Sequence, residues 1–427
     1  MSSGMPTFAR TADRRNALDR AHAGDIEGAL GTLHSFETGP RVSLKRKLGA
    51  LLAISAPGIG VMVADNDTGT FSVLTQAGQD HGTSLLWVLL LLCPALYVIQ
   101  KMVARLGAVT GSGLAQLTLE RFGKLWCAFS LGDLLILNLA ILVTEFIGVA
   151  LALSYFGASR YVTVPAAATV LVALTTNASF RRWERAMYLM IGADLALIPL
   201  ALIHHPRPTS IAAGLIPTLH GASANSTLLL VALIGTTIMP WQLFFQQSTV
   251  ADKQITSRWL GYARADTAIG AVLFAACAGA VLILSATALS GAALHGHFTD
   301  VGAVARAIGV HLGAAAGAIL AIALLNGSLL CAGAVSLSGS YAIAEVVGTK
   351  HSQHRSYREA KAFRASFAAG VAVAAGVVLR PGLPLGALTT LVQALAGILL
   401  PSTLVLLLIL SNDEQLLGRF TNRRWRT

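Results

Sequence analysis

The chain has 427 residues, 55% of them hydrophobic and only 12% charged, with a mean hydropathy of +0.67; a soluble domain carries about 25% charged residues, so a single water-soluble globule is excluded. The formal charge of +11 sits in short clusters that flank apolar stretches instead of forming one basic patch, which excludes a nucleic-acid-binding surface. The four cysteines, Cys93, Cys127, Cys277 and Cys331, lie in apolar runs without CxxC spacing and read as small buried hydrophobes, with neither a disulfide framework nor a zinc site favoured.

Residues 1–47 are polar, carry no signal-peptide pattern and form a cytosolic N-terminal segment. Within it Ala17 to Leu33 has a loose helical period (Leu18, Ala21, Ile26, Ala29, Leu30), which predicts a short helix. Ten apolar stretches of membrane length follow, at 48–76, 83–104, 125–156, 161–178, 183–204, 226–251, 263–290, 312–347, 364–380 and 384–411. The third and eighth are long enough to tilt or to extend beyond the bilayer. A transmembrane domain over 48–411 and a cytosolic tail over 412–427 result. Basic residues fall in alternate loops: Lys45, Arg46 and Lys47; Arg105, Arg121 and Lys124; Arg181, Arg182 and Arg185; Lys253 and Arg258; Lys350, Arg355, Arg358 and Lys361; then Arg419, Arg423, Arg424 and Arg426. The intervening loops hold only Arg160, Arg207, Arg306 and Arg380. The positive-inside rule then puts both termini in the cytoplasm of a multi-pass cell-membrane protein, and supports ten spans independently of hydropathy.

Two spans are interrupted. The first carries Ala64-Asp65-Asn66-Asp67-Thr68-Gly69-Thr70 inside an apolar run, and a charge at membrane depth costs roughly 3 kcal/mol on insertion scales. The sixth carries Gly235-Thr236-Thr237-Ile238-Met239-Pro240-Trp241-Gln242, where Pro240 removes a backbone donor and frees a carbonyl about four residues back. Five spans separate the breaks, and an odd number per half inverts the second half. The pattern predicts an all-α membrane protein built of two inverted five-helix repeats, about 48–204 and 226–411, with its site at the two broken helices. Carboxylate, hydroxyl and carbonyl oxygens from Asp65, Asp67 and Thr70 suit hard divalent cations, while the Met239 thioether favours transition ions. Glu145, alone at mid-span in the third stretch, is a proton carrier or a partner of the ligands. Gln242, Gln246 and Gln247 line the route; Asp133 and Asp194 lie nearer helix ends. Gly327-Ser328 and Ser336 to Ser340 read as close-packing residues, and His220, His295, His297 and His311 as exposed loop residues.

Several of these pieces resemble one family. Pro57-Gly58 through Asp67-x-Gly69, Gln76-Ala77-Gly78 and Leu85-Leu86-Trp87 are similar to the first two helices of the Nramp divalent-metal transporters. Met239-Pro240 resembles that family's Met-Pro-His motif, Thr144-Glu145-Phe146-Ile147-Gly148 its third helix, and Ser411-Asn412-Asp413 to Asn422-Arg423-Arg424 the segment after its tenth. The resemblance covers about residues 45 to 424. It implies a LeuT-type fold, alternating access and import of Mn²⁺ or Fe²⁺, usually with protons. It also implies Asp67 and Met239 as metal ligands, Thr236 as a carbonyl donor and Glu145 as the acid linked to protons. The departures are Thr70 for the family's asparagine ligand, the additional Asp65, Trp241 for the histidine, Leu142 for the third-helix aspartate, and Leu399 for the tenth-helix glutamine, with Gln393 close by. Such substitutions resemble a divergent Nramp-related branch that includes magnesium transporters. That branch loses the site methionine, and Met239 is kept here.

The expected function is therefore a secondary transporter of Mn²⁺ or Fe²⁺, with Mg²⁺ second and an amino-acid or organic-cation transporter of the same fold third. The metal ion is substrate, no cofactor is implied, and nucleophile or His-rich constellations of a membrane enzyme are not found. Because Trp241 and Leu142 replace two titrating groups, the sequence predicts Mn²⁺ uptake with weak or absent stoichiometric proton movement. Internal pH recorded during uptake into proteoliposomes checks this, and robust metal-driven acidification would contradict it.

Overall fold

Long uncharged runs of Leu, Ala, Val and Ile satisfy their backbone polar groups in lipid only as helices, and the chain folds accordingly. The computed structural model describes residues 25–34, 43–177, 180–217, 224–289, 298–349, 352 and 360–422. In chain order the helices are α1 (Leu44–Ile54), α2 (Pro57–Ala64), α3 (Thr68–His81), α4 (Leu86–Thr110), α5 (Leu114–Ser154), α6 (Arg160–Asn177), α7 (Phe180–Asp194), α8 (Leu197–Ile203), α9 (Pro208–Gly214), α10 (Ala224–Thr237), α11 (Pro240–Asp252), α12 (Leu260–Leu289), α13 (Val301–Leu312), α14 (Ala314–Val347), α15 (Lys361–Val378), α16 (Leu385–Ser411) and α17 (Glu414–Leu417). Among the described residues eight helical segments are long and apolar enough to cross a membrane. The two other expected spans are α6, whose apolar part is shorter, and the first, which is divided among α1, α2 and α3.

Spans five apart in the chain pair with one another. α14 packs along α5 and α15 along α6, while α12 packs on α2, α3 and α4, α10 on α16, and α11 on α4. The α5–α14 pair is antiparallel. The Gln116 N–H at the start of α5 donates to Glu345 near the end of α14 (3.4 Å), and the Tyr155 hydroxyl just past α5 donates to the Ala314 carbonyl at the start of α14 (2.9 Å). This is the inversion that an odd number of spans per repeat demands.

One face of the bundle gathers the basic loops. Arg105 donates to Asn422, Arg121 pairs with Asp413 at 2.6 Å, and Arg181 reaches Glu27 at 3.4 Å. On this face the expected helix over Ala17–Leu33 is corrected. Ile26–Gly28 and Gly31–Leu33 are antiparallel strands joined at Ala29-Leu30, and Ala17 to Gly24 lie outside the described residues. Two glycines bracketing a two-residue connection favour a hairpin over a helix. Gly28 presses against the Ala53 carbonyl so closely that no Cβ fits, and Ile26 and Leu33 bury against Ala50, Ala53 and Ile54.

Three other expectations are refined. α5 is interrupted at Gly123, where φ is +82°, so its first turns form a separate segment before the span. His311 sits in α13 and is exposed, while His220, His295 and His297, like Lys350, Arg355, Arg358, Arg423, Arg424 and Arg426, lie outside the described residues. α1 and α2 bend by 55° at Ser55-Ala56. There the Asp266 carboxylate of α12 accepts from the N–H groups of Gly58 (2.6 Å), Ile59 (3.2 Å) and Ala56 (3.4 Å), satisfying the orphan donors of the α2 N-terminus.

The hairpin, the bend and α7 meet at a buried ion pair. Lys253 Nζ donates to Glu184 Oε1 and to the Ser55 carbonyl, both at 2.7 Å, and the Ala29 N–H donates to the other Glu184 oxygen. Both side chains are almost wholly enclosed, 0% and 2% exposed, so removing one strands the other charge. Lys253→Ala is expected to cost about 3–5 kcal/mol of stability, seen as a lower melting temperature of the detergent-solubilised protein; an unchanged melting temperature would contradict the buried pair.

Candidate metal centre

α2 ends at Ala64 and α3 begins at Thr68, so Asp65, Asn66 and Asp67 form the first break. Asp67 is the N-cap of α3, and its Oδ1 accepts from the Thr70 N–H at 2.7 Å, the usual way a short acidic side chain satisfies a helix N-terminus. Glu145 of α5 reaches the same N-terminus. Its Oε2 accepts from the Thr68 N–H (3.1 Å) and the Thr68 hydroxyl (3.0 Å), and its Oε1 from the Thr144 hydroxyl (3.2 Å). Two carboxylates thus converge on the positive end of one helix dipole.

The second break lies at Ile238-Met239, between α10 and α11. Pro240 has no N–H, so the Thr236 carbonyl loses its helical donor. The Thr70 hydroxyl lies 2.7 Å from the Thr236 hydroxyl, 3.5 Å from the Thr236 carbonyl and against the Asp65 carbonyl. The two interrupted helices therefore face each other and exchange polar contacts, as expected.

Small residues bring α14 against the first break. A Cβ at Gly327 would collide with the Asn66 carbonyl, and the Ser328 hydroxyl lies 2.8 Å from that of Thr68. One turn further on, the Cys331 thiol meets Asp67 Oδ2 at 3.4 Å. Donor atoms of Asp67, Glu145 and Cys331 all lie within 4.8 Å of one another, and all three side chains are buried. Cys331 is buried, as expected of all four cysteines, and its contact with Asp67 is created by the approach of α14, which the sequence alone does not signal.

The other expected site residues sort by geometry. Asp65 is 0% exposed, and its polar neighbour is the Gln242 side chain, whose amide is directed at its carboxylate. Gln242 Oε1 accepts from Gln100 Nε2 (3.0 Å) and from the Met239 N–H (3.3 Å), which leaves its Nε2 to face Asp65. Met239 is buried at the second break, and its sulfur accepts from the Trp241 indole N–H at 3.1 Å. Gln393 of α16 packs its amide where a Cβ of Gly69 would lie, with both amide atoms unpaired, so Gln393 and not Leu399 is the α16 residue at the first break. Gln246 donates to Thr267 and Gln247 to the Ser112 carbonyl, while Asp133 binds Ser402 and Asp194 lies by Asn326.

A helical bundle of antiparallel spans paired five apart, with polar side chains at two facing helix breaks, defines the LeuT-type class of membrane transporters. The family profile described as natural resistance-associated macrophage protein-like (Nramp) matches residues 58–427. The chain is 30% identical to the divalent metal cation transporter MntH of Ralstonia nicotianae over 88% of this chain and 86% of that one, and 30% identical to MntH 1 of Pseudomonas aeruginosa over 92% and 90%. In structure it is similar to the Eremococcus coleocola manganese transporter (TM-score 0.73, 22% identity, 94% of this chain and 85% of that one). It shares its fold also with a Na⁺-coupled sialic acid symporter (TM-score 0.57, 12% identity, 86% and 83%). The chain belongs to the Nramp family.

The close approach of α14 gives a test. Gly327→Ala must push α14 away from the Asn66 backbone and with it Ser328 and Cys331. Divalent-ion binding to the purified variant is expected to weaken at least tenfold, whereas Gly49→Ala, where a Cβ meets nothing within 4 Å, leaves it unchanged. Equal binding by both variants would contradict the packing described.

Proposed function

We propose that the chain is a secondary transporter that moves divalent metal cations across the cell membrane by alternating access, with Mn²⁺ or Fe²⁺ as the preferred ions. The observation that carries this reading is the Asp65 and Asp67 pair, both 0% exposed at a break in an apolar helix. An ionised carboxylate in such a place is too costly to keep unless a cation neutralises it. Asp67, Thr70 and the carbonyls freed at Asp65 and Thr236 are the oxygen donors, Met239 the thioether, and Gln242 and Gln393 amides that orient the ion's remaining water. Glu145 acts through Thr68 to hold Asp67 at the α3 N-terminus and is the mid-membrane acid open to a proton. Because the carboxylates are closed off from both faces, an ion reaches them only when packed helices move, which is the basis for alternating access. The basic face, with the hairpin and α17, is the cytoplasmic side, so both termini lie in the cytoplasm.

Transport of Mg²⁺ is the second reading, and one contact favours it. The Trp241 indole N–H occupies the Met239 sulfur, which shifts the donor set toward oxygen.

Parallel uptake of Mn²⁺, Fe²⁺, Mg²⁺ and Ca²⁺ into proteoliposomes decides between the two. Asp67→Ala removes one full charge from beside the ion; two unit charges about 4 Å apart already interact by about 4 kcal/mol at an effective dielectric near 20, so the loss is at least roughly a thousandfold in ion affinity. Uptake is expected to vanish in this variant while its size-exclusion profile is kept. Wild-type uptake by well-folded Asp67→Ala would rule out Asp67 as a ligand.

A further inference from the structure

We propose that Cys331 is a ligand of the transported ion and a specificity-determining residue of the site, supplying the soft donor that favours thiophilic transition ions such as Cd²⁺ and Co²⁺ over Mg²⁺ and Ca²⁺. The inference rests on the divalent-transport reading and deepens it.

The Cys331 sulfur lies 3.4 Å from Asp67 Oδ2. For a metal–sulfur bond of about 2.3 Å and a metal–oxygen bond of about 2.1 Å, a tetrahedral angle at a shared ion gives a donor separation of about 3.6 Å. Glu145 closes the triangle, with all three donor atoms within 4.8 Å of one another. The residues come from three separate helices, α3, α5 and α14, so their meeting is a product of the tertiary fold and not of local chain geometry.

The placement of Cys331 is also dictated by its own helix. Gly327 and Ser328 touch the first break, and residues three and four positions on in an α-helix return to the same face, which aims Cys331 at Asp67. Asp65, also fully buried, is a third acidic group near the same sulfur. The thiol donates its hydrogen bond to Asp67 in the absence of an ion, and an ion that displaces the thiol proton takes the same position between the two groups. Finally, the thioether that the family resemblance assigns to the ion accepts a hydrogen bond from Trp241 Nε1 at 3.1 Å. Cys331 is then the sulfur directed at the acidic cluster, and a soft donor there discriminates against hard, strongly hydrated ions.

The test uses the purified full chain in detergent, with Cd²⁺, Mn²⁺ and Co²⁺ as probes. Calorimetric titration of the wild type, Cys331→Ser and Cys331→Ala gives the ratio of Cd²⁺ to Mn²⁺ affinity, which is expected to fall at least tenfold in both variants. Bound Co²⁺ is expected to show a sulfur-to-cobalt charge-transfer band in the wild type and in Cys277→Ser, and to lose it in Cys331→Ser. Cys331→Ala stands in where the serine hydroxyl prevents folding. A shift in the ratio below tenfold, a band that persists without Cys331, or its absence from cobalt-loaded wild type overturns the role of Cys331 and leaves divalent transport standing. Wild-type protein that binds none of the three ions overturns both.

Discussion

The hydroxyl of Thr70 is the point on which the site depends. It bridges the Asp65 carbonyl at the first break and Thr236 at the second. Both breaks lie among apolar helices, where a backbone group without a partner costs several kcal/mol. The first relies on Asp67 and Glu145 to cap α3 and on Gly327 to let α14 reach its carbonyls, and the second on Gln242 to meet the Met239 N–H. The groups that complete the backbone are hydroxyls, carboxylates and amides, the same chemistry that the proposed transport of a divalent cation requires, and the Gln393 amide beside them has no partner among the described residues.

The polar contacts are distributed unevenly along the membrane normal. At the breaks they are hydroxyls, amides and carboxylates. On the basic face they become a charged assembly in which Lys253, Glu184, the Ser55 carbonyl and the Ala29 N–H tie α11, α7, the α1–α2 bend and the hairpin together, with Asp266 holding the α2 N-terminus just beyond. One half of each broken helix is thereby tied to α7 and to the hairpin. A buried pair of this kind gives register more readily than net stability, since its Coulomb gain is spent against desolvation.

The helices, the two breaks and the inverted arrangement were legible in the sequence because each has a one-dimensional signature: apolar length, charge or proline inside an apolar run, and alternation of basic loops. Asp65, Asp67, Thr70 and Met239 were legible for the same reason. What escaped was tertiary. The contact of Cys331 with Asp67 depends on α14 lying against the first break, and no spacing along the chain encodes that approach. Gln393 and Leu399 both sit on α16, and only the packing of Gln393 against Gly69 distinguishes them. The hairpin at Ile26–Leu33 was masked because a weak helical period outweighed two glycines whose effect depends on the α1 surface beneath them.

Anomalous diffraction from crystals of the full chain soaked in Mn²⁺ locates the ion itself. One strong manganese peak is expected between the two helix breaks, within about 2.5 Å of a carboxylate oxygen of Asp67, and none in Asp67→Ala crystals grown the same way. A peak bound elsewhere in the bundle, or a break region that stays free of metal at saturating Mn²⁺, would contradict it.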